Sequence, residues 1–291
     1  FSTGGPAMPP VEKQPMATGM SPFGEVCRIS RPESGAASIP LVFASAHSGD
    51  VHPPCPAAAD LPARSLRSAE DALMQHLVGA GPAQGAVLIA AVIARSFVDL
   101  NRDPDELDPL TVEGAPAELL SPRARAGYGV IPRLSGDGLA LHRRRLTREE
   151  AQARLDGVHR PYHVALADLM HETRARHGRA ILVDWHSMPS RAGDMDVVLG
   201  TRHGAACGSA LSRQMQGLMD RQGWRVSLNH PYAGGYSTRR WGRPDEGFEA
   251  VQVEINRRLY LDEDTLEPSP GYGALAKALS RIIAELCGSH R

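Results

Sequence analysis

The sequence lacks the features that mark several protein classes. Its four cysteines, Cys27, Cys55, Cys207 and Cys287, stand apart with no CxxC spacing. That sets aside a disulfide framework and a thiolate zinc cluster, and leaves buried or idle thiols. Net charge is nearly absent: 32 Lys and Arg against 33 Asp and Glu give −1, so no global field draws in nucleic acid or another polyanion. Long apolar runs are missing too. The longest, Gly85 to Ala94, ends at Arg95, roughly half of the ~20 residues that span a bilayer, and reads as a buried strand. Nothing near Phe1 combines a basic start, an apolar segment and a small-residue cleavage site, so a cytoplasmic protein is expected. No internal repeat is visible.

What is present is a globular balance, 42% hydrophobic and 22% charged over 291 residues, enough to bury a full core. Residues 1–37 are rich in Gly, Pro and Ser without a period and read as an irregular arm. The remainder, 38–291, alternates strands with helices. Apolar runs begin at Ile39, at Ala86, after Gly178, in DMDVVLG, near Arg225 and in GFEAVQVEINRRLY. Helices are expected over 63–78, from the Thr147/Glu150 capping box to about His177 with Pro161 dividing it, over 206–222 and over 271–287. This order predicts a single α/β domain with a mixed, mostly parallel sheet flanked by helices. In such sheets ligands gather beyond the carboxyl ends of the strands.

Twelve histidines direct attention to metal ligands. His47 and Asp50 follow the strand LVFASA at a spacing that lets both face one ion around Gly49, although an isolated HxxD is more often a hydrogen-bonded pair within a turn. Asp184 and His186 share a side of the strand ILVDWHS, and His186 offers a third ligand from a second strand end, with Asp184 in a supporting role. Two histidines and a carboxylate with an open fourth position form a catalytic zinc arrangement. In VQVEIN the apolar residues take one face, while Gln252, Glu254 and Asn256 take the other. Glu254 then serves as general base and acid if the strand is internal, and merely faces solvent if it lies at an edge. In VDLNR, Asn101 and Arg102 suit a carboxylate clamp, against an ion pair with Asp99, Asp103 or Asp105. The stretch 229–243 adds Tyr232, Tyr236, Arg239, Arg240 and Arg243 on a loop able to close over an anion. His52 is a reserve ligand, His163 reads as a structural helix residue, and Arg143, Arg144 and Arg145 as a solvated face with one member able to meet a substrate carboxylate.

Taken together, PLVFASAHSGD, SFVDLNRDPDELDP, RPYHVALADLM, ILVDWHSMPS, NHPYAGGYSTRRWG and VQVEINRRLYLDE, in that order from Leu41 to Tyr260, resemble the N-formylglutamate amidohydrolase family. That family is similar in architecture to zinc carboxypeptidases and aspartoacylases, whose pattern is a His-x-x-Glu pair, a later His, an Asn-Arg clamp and a late Glu. The resemblance implies a zinc-carboxypeptidase-like fold and one Zn2+ held by His47, Asp50 and His186. It further implies Glu254 as the acid/base and Asn101 with Arg102 on a substrate carboxylate; here the first pair ends in Asp rather than Glu. For an oxyanion-stabilising arginine, Arg144, Arg239 and Arg240 are candidates. The implied reaction converts N-formyl-L-glutamate to formate and L-glutamate, as in histidine degradation. The alternatives are an amidase or peptidase acting on another N-acyl acidic amino acid or small acidic peptide, and a binding module that has lost catalysis. A small anionic substrate is expected as partner, without nucleic acid or membrane, on a monomer or homodimer.

Overall fold

Strand residues alternate between two apolar faces, and that alternation builds the protein. The computed structural model describes residues 21–116 and 120–291. Seven strands, β1 (Cys27–Ser30), β2 (Leu41–Ser45), β3 (Val87–Ala91), β4 (Ala180–Met188), β5 (Val197–Gly200), β6 (Val226–Leu228) and β7 (Phe248–Asn256), form one sheet in the order β1-β3-β2-β4-β7-β5-β6. The central strands β3, β2, β4 and β7 run parallel, while β1 and the β5–β6 pair run against them. The mixed, mostly parallel sheet expected from the sequence is therefore present. Strand β1 falls within the segment read as an irregular arm. Its CRIS residues pair with β3 at the sheet edge, and such a short, largely exposed strand carries too little apolar alternation to announce itself. Residues 1–20 of that arm lie outside the described residues.

The helices are α1 (Ala63–Arg67), α2 (Met74–Leu77), α3 (Pro122–Arg125), α4 (Arg148–Arg154), α5 (Arg160–His177), α6 (Ser209–Asp220), α7 (Tyr236–Trp241) and α8 (Tyr272–Gly288). Residues Leu41 and Phe43 of β2, Ile181, Val183 and Trp185 of β4 and Val251, Val253 and Ile255 of β7 pack against α2, α6 and α8. From α8 alone, Leu279, Ile282, Ile283 and Leu286 are buried almost completely, worth about 1.5–3 kcal/mol each in removed apolar surface. On the opposite face Val42, Ala44, Ile89 and Leu182 meet Tyr162, Leu166, Leu169 and Met170, the helical stripe of α5. The Thr147 hydroxyl accepts from the Glu150 amide and Glu150 reaches back to Thr147, closing the expected capping box at the start of α4. A π-helical turn over Leu155–His159 joins α4 to α5 immediately before Pro161, whose missing N–H favours such a break. Among the described residues no helix is long and apolar enough to cross a membrane.

On the α5 side the sheet changes character along its length. Ala180 and Leu182 of β4, and Phe248 and Ala250 of β7, belong to the core. Continuing with period two on the same face come Asp184 and His186, and Gln252 and Glu254, all buried. The chain leaves β2 for β3 on one side and later returns to β4 on the other, so the strand order reverses at β2. The carboxyl ends there open the crevice in which open α/β sheets bind ligands.

Candidate active site

His47 stands just past β2. Ser48 closes the turn by donating to the Ser45 carbonyl at 2.9 Å, and Gly49 then passes directly against the segment that continues β3: a Cβ on it would overlap the backbone carbonyl of Ile93. Val51 donates to the Val92 carbonyl at 3.0 Å and pairs with Ile93. This detour along β3 corrects one expectation. Asp50 is exposed, outside the group of potential ligands around His47, because the glycine turn sends its side chain outward. Gly49→Ala should destabilise the protein by about 1–3 kcal/mol through forced backbone displacement, read as a lowered denaturation midpoint with an unchanged m-value.

Asp71 takes the place expected of Asp50. The helix expected over 63–78 is two short helices, and between them Leu73 adopts a left-handed conformation at φ 65°. Asp71 lies in that break, its amide donating to the His47 carbonyl at 2.9 Å. Arg257 staples the segment by donating to the carbonyls of Ser68 and Glu70 at 3.1 and 2.6 Å. The fully buried carboxylate accepts from the Ser187 hydroxyl at 2.9 Å. Its Oδ2 stands 2.9 Å from Nδ1 of His186 and 3.5 Å from Nδ1 of His47.

His47, Asp71 and His186 each aim one donor atom at a common point, all within 4.8 Å of one another. Ligands on a tetrahedral ion at ~2.1 Å stand about 3.4 Å apart, so small side-chain adjustments close the site. The far nitrogens are occupied as metal-bound histidines require. His47 Nε2 is 2.7 Å from Asp99 Oδ1, a backing carboxylate of the kind that fixes tautomer and ring orientation, and His186 Nε2 lies 3.1 Å from Asp184 Oδ2 and 3.2 Å from Asn101 Nδ2. Both oxygens of the buried Asp184 otherwise lack hydrogen-bond partners among the described residues, and the His186 contact itself is poorly aligned. Burial raises the pKa of Asp71, but contacts with His186 and His47 outweigh it and hold the group well below the usual carboxylate range. Burial opposes charge on His186, whereas Asp184 and Asp71 together push its pKa well above the ordinary imidazole value. Arg257 also balances Asp71, its Nη2 lying 3.3 Å from Oδ1, which leaves Oδ2 as the oxygen turned toward the two histidines. Two imidazoles and a carboxylate thus fit a divalent ion. Asp99 is held for its task by Arg95, at 2.6 Å, and by the Asn101 amide, at 2.9 Å. Asp99→Asn should weaken metal binding by about 10–100-fold, measurable by competition with a chromogenic chelator.

Glu254 pairs in register with His186 across β4 and β7, so the strand is internal and the solvated-edge alternative falls. Gln252 donates to Glu254 Oε1 at 2.7 Å and accepts from the Gly235 amide at 2.8 Å. Burial, then opposed by His186 and aided by Asp71, raises the Glu254 pKa. These residues floor a cavity of about 480 Å³ whose wall includes Arg102, Tyr232, Tyr236 and Arg239. Arg102 is anchored by donating to the carbonyls of Tyr128 and Asn101 at 2.9 and 3.3 Å. Asn101 also lines the cavity, but its amide is committed within the protein: Oδ1 accepts from the Ser237 amide at 3.0 Å and Nδ2 donates to Gln252 at 3.2 Å. Tyr236 opens α7, where Arg240 donates to its hydroxyl at 3.3 Å, and Arg239 pairs with Asp103.

Arg144 is the second correction. It does not line the cavity; its guanidinium grips Glu150 with contacts of 2.7 and 2.8 Å beside the α4 capping box. His163 Nε2 donates to the Leu100 carbonyl, 2.8 Å away, in the core, the structural role expected. Sequence reasoning overlooked Asp71, hidden inside an expected helix, and treated Asp99 only as an ion-pair partner. Arg123 and Arg202 were also overlooked, though both line the cavity. The SAEDAL string around Asp71, with two acids followed by apolar residues, carried no distinguishing spacing.

Buried histidines and carboxylates at the strand ends of an α/β sheet, beneath an arginine-lined cavity, are the arrangement of a metal-assisted hydrolase, and comparison with known proteins identifies the amide-cleaving class. The chain belongs to the N-formylglutamate amidohydrolase family, whose model matches residues 39–261. Proteins named N-formylglutamate deformylase from Pseudomonas aeruginosa and Pseudomonas putida are each 32% identical to it. The first aligns over 214 residues, 70% of this chain and 75% of the relative, and the second over 211 residues, 69% and 73%. The crystal structure of N-formylglutamate amidohydrolase from Ralstonia eutropha is similar at a TM-score of 0.85 and 32% identity, covering 91% of this chain and 98% of that one. A gene product of Agrobacterium tumefaciens, 19% identical, shares the fold at a TM-score of 0.67 over 92% of this chain and 96% of its own.

Proposed function

We propose that this chain hydrolyses the formamide bond of N-formyl-L-glutamate to formate and L-glutamate, with a divalent ion, zinc by its donor set, held by His47, Asp71 and His186. The observation that carries this reading is the convergence of that trio and Glu254 on one floor, under walls that bear the guanidinium groups an acidic substrate requires. When bound, the ion supplies Lewis acidity toward the formyl oxygen and toward water. Glu254 takes a proton from the attacking water as oxygen bonds to the formyl carbon, and gives a proton to the nitrogen as the C–N bond breaks. A carboxyl whose burial favours its neutral form holds that proton between the two steps. Gln252, bonded to Glu254, keeps the carboxylate aimed into the cavity. Arg102, with Nη2 free of intramolecular hydrogen bonds among the described residues, holds a substrate carboxylate, and Asn101 positions Gln252 and α7 rather than gripping substrate directly. The same reading extends to histidine degradation in the cytoplasm.

The names of the relatives support formyl-glutamate over other N-acyl acids. The test is formate release from N-formyl-L-glutamate by metal-loaded protein, with N-acetyl-L-glutamate alongside. Release that stops with a chelator and returns with zinc is the expected result. Equal turnover of both substrates, or none of the formyl compound, overturns the reading.

A further inference from the structure

The cavity mouth carries more positive charge than the floor uses. Arg102, Arg123, Arg202 and Arg239 line it, whereas its lining carboxylates apart from Asp71 and Glu254 are Asp103 and Glu106; Arg95 is matched by Asp99. Two positive charges are left over among the described residues, the complement of a dianion.

Arg202 is the least satisfied of the four. Arg239 meets Asp103, and Arg123 stacks 4.8 Å from the centre of the Tyr232 ring, but the Arg202 side chain has neither hydrogen bond nor ion pair among the described residues. Its backbone is nevertheless tightly placed. Arg202 and His203 take consecutive left-handed conformations at φ 50° and 58°, and the Arg202 amide donates to the Ala233 carbonyl at 2.7 Å. Its side chain lies close against Gly234, where an added Cβ would come within 3.2 Å of the Arg202 Cγ. Left-handed backbone at two bulky residues persists only when the surroundings enforce it, and such outliers gather at binding sites. An unpaired guanidinium held this way and facing the cavity is built for a ligand.

We infer that Arg202, lining the cavity together with Arg102, supplies a second carboxylate subsite beside the one at Arg102, and that Arg202 sets the preference for a dicarboxylate over a monocarboxylate. This rests on the acidic-substrate reading above, yet its test needs no turnover. Calorimetric titration of the metal-loaded protein with glutarate, and with butyrate, which is glutarate lacking its second carboxylate, reads the subsite directly. Arg202→Gln should weaken glutarate binding by about 10–100-fold, as expected for a lost charge-assisted hydrogen bond, and leave butyrate within about twofold, so that the preference disappears. An unchanged preference overturns the inference. Should Arg202→Gln lose both ligands, Arg202→Lys decides: a restored glutarate preference upholds the subsite and continued loss overturns it. Failure to release formate alongside an intact, Arg202-dependent glutarate preference would sink the deformylase reading alone. Formate release with a preference indifferent to Arg202 would sink the subsite alone.

Discussion

Glu254→Gln loses about 100-fold or more of turnover while the protein still binds metal and acidic ligand. The substitution removes a single proton-carrying oxygen from a buried position on β7 and leaves shape and hydrogen-bonding capacity nearly intact. General acid–base catalysis contributes typically about 10²–10⁴-fold, and among the described residues no other carboxyl near the ligand trio is placed to substitute: Asp71 belongs to the trio itself, while Asp99 and Asp184 stand behind the histidines. Steady-state rates of formate release, with metal content measured on the same samples, check the prediction. Near-normal turnover would remove Glu254 from the proton path. A loss of turnover together with a loss of metal would instead make the residue part of the metal-holding structure.

Asp71→Asn and Asp50→Asn should differ sharply. Asp71 is fully buried, and its Oδ2 faces both histidines; exchanging it for a neutral amide takes away the only anionic ligand of the trio. Metal affinity should fall by more than the ~10–100-fold typical of an outer partner such as Asp99, and turnover with it. Asp50, exposed beyond Gly49, should tolerate the same change with metal affinity and turnover within about twofold, since a surface substitution of this kind disturbs little. Metal titration of the two variants beside the parent separates the two assignments. The reverse ranking would mean that the turn after β2 reorganises when metal binds.

Those two aspartates also show what was legible in the sequence. Period-two alternation placed Asp184 with His186 and Gln252 with Glu254, because strand geometry alone decides which side chains share a face. His47 was legible for a related reason: an apolar run that stops at a histidine leaves it at a strand end. Neighbouring strands then brought these residues together through the parallel register of β2, β4 and β7. Asp71 was not legible. Its place depends on a break between two short helices, on a left-handed Leu73 and on Arg257 donating from 186 residues away to Asp71 itself, none of which leaves a local pattern. Gly49 carried a readable hint of a turn, but which way the turn faced depended on contact with Ile93 of a different segment. Arg144 illustrates the opposite error, since the capping box that correctly announced α4 also supplied the Glu150 that occupies this arginine. Arg202 was hidden because its orientation comes from two left-handed residues and the neighbouring Gly234, not from a motif.

The most direct test is anomalous diffraction at the zinc edge from crystals of the metal-loaded protein. A single strong peak at ~2.0–2.2 Å from Nδ1 of His47, Nδ1 of His186 and a carboxylate oxygen of Asp71 is the result expected. A peak held by Asp50 in place of Asp71, or one distant from both histidines, would contradict the assignment.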